Sequence, residues 1–128
     1  MGEKRKLKKA LFITFLVVGL CSCSTEKEKF TDKKLNNNEI VETMSNHEVI
    51  ILDVRTKSEY DEEHIKDAIN IPLDEINKEI MLNKDKVILV YCRSGNRSKT
   101  AATKLIDLGY TAYDIGGISS INLEKESK

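Results

Sequence analysis

The chain has 128 residues, enough for one small domain. Apolar residues make up 40% and charged residues 33%, as in ordinary soluble globular proteins, and 21 basic side chains balance 21 acidic ones. Lys4, Arg5, Lys6, Lys8 and Lys9 crowd the first ten positions, which leaves the remainder mildly acidic and without a basic patch interleaved with aromatics; this argues against nucleic-acid binding.

The basic start leads into an uncharged apolar run of eleven residues, 10–20. A membrane-spanning helix needs about 20. Counting uncharged residues on to Thr25 gives 16, still short for an uncleaved anchor. A basic segment before a short apolar one has the build of a secretory signal peptide. It ends in Leu20-Cys21-Ser22-Cys23, which resembles a bacterial lipobox. The resemblance implies a lipoprotein signal peptide over residues 1–22, cleavage after Ser22 and a diacylglyceryl group on the Cys23 sulfur. The protein would then be extracytoplasmic and held on a bacterial membrane by its lipid chains. Cys21 fits the pattern less well, because bulky Leu20 would occupy its cleavage position. With Cys21 removed and Cys23 blocked, Cys92 is left as an unpaired thiol in a compartment where paired cysteines oxidise.

Residues 23–34 are mostly polar and charged and read as a flexible tether. A domain is expected over 35–123. Leu35 suits a short first strand, and Asn36 with Glu39 forms a capping-box signature ahead of an apolar stripe of Ile40, Val41 and Met44. The β-branched run from Val49 to Val54 suits a strand buried on both faces. Ala68 to Ile71 reads as a shorter strand ended by Pro72. Leu73 to Leu82 reads as a helix with Leu73, Ile76, Ile80 and Met81 inward. Val87 to Tyr91 reads as a second buried strand, and Ser98 to Leu108 as a helix packing Ala101, Ala102, Leu105 and Leu108 before Gly109 stops it. Thr111 to Tyr113 suits a last strand and Gly116-Gly117 a turn. Strands alternating with helices imply an α/β fold with an open, mostly parallel sheet flanked by helices.

In such a sheet, ligands bind beyond the carboxyl ends of the strands, and Cys92 lies at one of them. The connecting segment is Cys92-Arg93-Ser94-Gly95-Asn96-Arg97-Ser98. Gly95 and Asn96 tolerate positive φ, so the loop can curl its N–H groups inward as an anion nest. The following helix adds its positive end, and Arg93 and Arg97 add two charges. Together these favour thiolate over thiol, which makes Cys92 a nucleophile for anionic substrates. Ser94, Gly95, Asn96 and Ser98 contribute mainly backbone N–H groups, so residues 93–98 form the expected substrate-binding set. Asp53 and Arg55 either reach the site or hold a turn as an ion pair. A structural hydrogen bond suits His64, and a surface position suits His47. Two separated histidines and one free cysteine give no metal-ligand spacing.

The loop closely resembles the active-site loop of the single-domain rhodaneses. Leu52-Asp53-Val54-Arg55, Glu59-Tyr60, His64-Ile65 and Ala68-Ile69-Asn70-Ile71-Pro72 resemble other segments of that family, over about residues 35–118. The resemblance implies a rhodanese-like fold and a sulfurtransferase in which Cys92 takes a sulfane sulfur from thiosulfate or a persulfide donor. Cys92 would carry it as a persulfide and yield it to a thiol or cyanide-like acceptor, without metal or organic cofactor. Phosphatases and arsenate reductases of related folds space Cys and Arg by five residues; here four separate Cys92 from Arg97, as in the sulfurtransferases. A non-catalytic interaction module is disfavoured because the nucleophile and both arginines are present. Three departures stand out. Glu63 and Asp67 occupy positions where the family usually has Gly, and Gly116-Gly117-Ile118 is followed by Ser119 where the family has Trp, so the C-terminal cap is expected to be shorter and less apolar.

Overall fold

The computed structural model describes residues 33–128; the expected signal peptide, most of the tether and Cys23 lie outside them. Four parallel strands form the main sheet: β1 (Val49–Asp53), β3 (Ile69–Asn70), β4 (Val87–Cys92) and β5 (Thr111–Gly117), in the order β3-β1-β4-β5. The helices are α1 (Asn37–Asn46), α2 (Lys57–Glu62) and α3 (Asn96–Asp107). Two short antiparallel strands, β2 (His64–Ile65) and β6 (Lys125–Glu126), pair apart from the main sheet. The open parallel α/β architecture expected from the sequence is present, and β6 lies beyond the expected domain boundary at 123.

All six residues of β4 are buried, and their side chains alternate between two cores. Val87, Leu89 and Tyr91 join Leu35, Ile40, Ile51, Ile65 and Ile115 on one face. Ile88, Val90 and Cys92 join Leu52, Val54, Ala101 and Leu105 on the face covered by α3. Cys92 is therefore the last residue of β4, which runs one residue further than the strand end expected at Tyr91.

Three expectations are corrected. Gly116 and Gly117 form no turn but extend β5 against Tyr91 and Cys92. Leu73 to Leu82 is not a helix: a 3₁₀ turn over Leu73–Glu75 is followed by turns. Asn77 Oδ1 accepts the Glu79 N–H at 2.7 Å, a local bond that competes with helical pairing. The Tyr110 hydroxyl then pins the irregular chain, accepting from Leu82 N and donating to the Ile80 carbonyl. Met81 points outward at 93% exposure, while Ile76 is buried. In α1 the capping box between Asn36 and Glu39 is formed, but of the expected stripe only Ile40 is buried; Val41 and Met44 are exposed.

The unusual residues at glycine positions have local explanations. Glu63 follows α2 with ordinary extended dihedrals, so nothing there requires Gly, and its carbonyl accepts from Arg55 Nη2 at 2.6 Å. Asp67 does adopt φ +65°, a left-handed conformation that Asp enters more readily than most residues. The tail is also less depleted than its missing Trp implies, because Ile118 and Ile121 are buried and Leu123 packs against them.

The carboxyl end of β1 is tied down by a buried ion pair. Arg55 donates through Nε and Nη2 to the Asp53 carboxylate, with the shortest bond at 2.7 Å. Asn70 Nδ2 bridges the Asp53 and Arg55 carbonyls. The pair fills the structural role rather than reaching Cys92. Asp53→Ala strands a buried guanidinium and is expected to cost about 3–5 kcal/mol, read as a lowered urea midpoint. A loss below about 1 kcal/mol would show that the pair behaves as a surface contact.

Candidate active site

Cys92 is fully buried at the end of β4. Beyond it the chain must turn within three residues to enter α3. Gly95 permits this with φ +98°, a left-handed conformation costly for residues with a Cβ. The turn aims the Gly95 N–H back at Cys92 Sγ, 3.0 Å away. The helix begins at Asn96, two residues earlier than expected, and no side chain caps it. Its free N–H groups therefore open beside the sulfur.

The neighbouring strand closes the other side. Cys92 pairs with Gly117 of β5 after a bulge that shifts the register between Val90 and Tyr91. A Cβ at residue 117 would lie 2.5 Å from the Arg93 carbonyl oxygen, so only glycine lets β5 approach the loop this closely. Just before the bulge, Asp114 lies opposite Val90 on the α3 face. There its carboxylate accepts from the buried Ser98 hydroxyl at 2.7 Å and from Gly116 N–H at 2.8 Å. Ser98 Oγ lies 3.4 Å from Cys92 Sγ.

Burial pushes the Cys92 thiol up. The Ser98 hydroxyl and the N–H groups of Ser98, Gly95 and Ser94 oppose that and leave it below its ordinary value. The expected donors are thus largely the main-chain groups of the loop. Ser98 adds its hydroxyl to the mainly main-chain role expected for it.

The two arginines separate. Arg93 is exposed. Arg97 is half-buried and makes a two-pronged pair with Glu59 of α2, at 2.8 and 3.0 Å. Its charge still favours the anion at Cys92, but its hydrogen bonds go to a carboxylate and not to the sulfur. Glu59 also closes the capping box of α2 with Thr56, so one carboxylate ties the loop to a second helix. Neither Glu59 nor Asp114 was singled out as a site residue from sequence. Glu59 stands 38 residues before Arg97, and Asp114 reads as one polar residue within a strand.

His64 is buried and stacked on Tyr60, with Nδ1 2.7 Å from the Tyr60 carbonyl and Nε2 3.2 Å from Glu126. These contacts are the structural hydrogen bonding expected for it, and His47 is exposed.

The rhodanese-like domain model matches residues 36–124. The thiosulfate sulfurtransferase PspE of Escherichia coli K12 is 37% identical over 78 residues, covering 58% of this chain and 75% of that protein. The thiosulfate sulfurtransferase GlpE of Coxiella burnetii is 30% identical over 79 residues, covering 61% and 74%. Among solved structures, a rhodanese-related protein of Thermoplasma volcanium superposes with a TM-score of 0.65 at 31% identity, covering 75% of this chain and 99% of that one. An Escherichia coli rhodanese with anions gives 0.57 at 35% identity, covering 62% and 99%.

The Arg97 guanidinium holds Glu59 at about 2 against an ordinary value of 4.5, with burial opposing and Thr56 helping. A depressed carboxylate contributes stability that is whole above its unfolded value and is lost as pH falls toward its folded one. Glu59→Gln should therefore be less stable than the parent at neutral pH. The gap should close between about pH 4.5 and 2 in chemical-denaturation curves. A gap independent of pH would show that the ion pair contributes nothing.

Proposed function

The chain belongs to the rhodanese-like domain family, and on that premise we propose that it is a sulfurtransferase in which Cys92 is the sulfur-carrying nucleophile. The observation that carries this reading is a buried sulfur, held below its ordinary thiol value, at the carboxyl end of the central strand with a main-chain donor 3.0 Å away. The relatives named thiosulfate sulfurtransferases support the same chemistry.

In the first half-reaction the Cys92 thiolate attacks the sulfane sulfur of thiosulfate. A bond forms between Sγ and that sulfur, the sulfur–sulfur bond of the donor breaks, and sulfite leaves with its electron pair. The product is a persulfide anion whose charge lies on the outer sulfur. Main-chain N–H groups of residues 94–98 hold that charge, and exposed Arg93 attracts the donor. In the second half-reaction a thiolate or cyanide attacks the outer sulfur and Cys92 leaves as thiolate. A persulfide donor follows the same course, with a thiolate in place of sulfite.

Cys92→Ser preserves volume at a fully buried site and is expected to keep the fold while reducing sulfite release, with cyanide as acceptor, to background. Intact mass after thiosulfate should show one added sulfur on the parent and none on the variant. Turnover by a well-folded variant, or hydrolysis of a phosphate ester by the parent in a parallel assay, would overturn the reading.

We further propose that the protein is a lipoprotein anchored outside the cytoplasm through Cys23. The support is the lipobox-like Leu20-Cys21-Ser22-Cys23 behind a short apolar run. Metabolic labelling with a fatty acid should mark the full-length chain and fail on Cys23→Ala; equal labelling of both would remove the proposal.

A further inference from the structure

The Ser98 hydroxyl carries one proton and has more than one acceptor around it. Its oxygen lies 2.7 Å from Asp114 Oδ1, 3.1 Å from the Gly95 carbonyl and 3.4 Å from Cys92 Sγ. All three side chains are buried: Cys92 and Ser98 completely, Asp114 at 7% exposure. Hydrogen bonds to an ionised carboxylate are the shorter and stronger kind. Asp114 therefore competes with Cys92 for that proton, and while the carboxylate holds it Ser98 shows a lone pair to the sulfur. A neutral thiol suits that arrangement, because it can donate to Ser98 Oγ. A bare thiolate does not, because it faces a lone pair until the Ser98 proton turns away from Asp114.

The persulfide changes the demand. Its charge sits on the outer sulfur, among the N–H groups of the loop, and Sγ becomes a neutral bridging atom that needs no donor. Ser98 can then keep its bond to Asp114 at no loss. We propose that Asp114 is a positioning residue of the sulfur site, acting through Ser98 to hold the free thiolate less favourably than the loaded persulfide. This rests on the sulfur-transfer reading above. Gly116 N–H holds the Asp114 carboxylate in place at 2.8 Å, across the bulge that follows Asp114 in β5.

Other charges lie around the site. Arg97 from α3 favours the anion, Arg93 stands exposed in the loop, and the Asp53–Arg55 pair lies at the end of β1. None of them bonds Ser98 among the described residues, so Asp114 can be isolated through its partner.

The test is the pH dependence of iodoacetamide alkylation of Cys92 in the parent, Asp114→Asn, Ser98→Ala and the double variant. Asparagine keeps the size of the side chain and an acceptor for Gly116. Asp114→Asn is expected to lower the apparent thiol value by about one unit, tenfold in thiolate at a given pH below it. In the Ser98→Ala background the same change should have a much smaller effect. The fraction of Cys92 left loaded after thiosulfate and a fixed concentration of competing thiol, read by intact mass, should fall in Asp114→Asn. An equal shift in both backgrounds would show that Asp114 acts by charge through space and overturn the role given to Ser98. No shift, or an unchanged loaded fraction, would overturn the proposal itself. A parent that takes up no sulfur while the alkylation cycle behaves as expected would instead overturn the sulfur-transfer reading and leave the coupling of Asp114, Ser98 and Cys92 standing.

Discussion

An anionic sulfur with no solvent exposure has lost its hydration and must regain donors from the protein. At Cys92 those donors come from the turn that follows the strand and from one hydroxyl, and much of the domain can be understood as what keeps that turn in place. The strand must end within the sheet, so that its last side chain faces α3. The turn must be tight, which requires the left-handed Gly95. The helix must start at once, so that its free N–H groups open beside the sulfur. The adjoining strand must come within contact distance of the loop carbonyl at Arg93, which requires Gly117. A larger residue at either glycine would move main-chain atoms, and the donors would move with them.

The second layer of the site is electrostatic, and it is divided. Arg97 is fastened to Glu59 and organises the loop, while Arg93 is left exposed. Two arginines four residues apart thus have different tasks: one fixes geometry and the other meets solvent. On the far side, the Asp53–Arg55 pair and Asn70 fix the end of β1 without entering the site. Negative charge from Glu59 and Asp53 is neutralised by its own arginine in each case. Asp114 has no arginine or lysine in ion-pair contact among the described residues and is balanced by Ser98 and Gly116 alone.

Much of this was legible from the chain. The runs at 49–54 and 87–91 are rich in β-branched residues and nearly continuous in apolar ones, which suits strands buried on both faces, as in a parallel sheet. Cys92 through Ser98 shows its chemistry locally, because the nest and the helix start depend on neighbours within seven residues. Two kinds of feature escaped. Leu73 to Leu82 has apolar residues at helical spacing, but Asn77 and Asn83 offer side-chain bonds that the spacing does not register, and Tyr110 fixes the resulting turns from 30 residues away. Glu59 and Asp114 reach the site only through tertiary pairing, and the register shift that follows Asp114 in β5 and sets Gly117 against Cys92 has no local signature beyond a pair of glycines. Likewise, the tail looked too polar to cap the domain, since Ile118 and Ile121 are separated by two serines and only the 3₁₀ turn brings them to one face.

The cradle around Cys92 is built largely from peptide N–H groups, and these are the same whatever side chains the loop carries. Arg93, Ser94 and Asn96 are exposed and free to change while the donors stay where they are. The chemistry of the sulfur and the choice of molecule that meets it are thereby written in different atoms. Changes in the loop side chains can alter which molecules meet the sulfur while the N–H groups keep their places, whereas Gly95, Gly117 and Ser98 leave no such latitude.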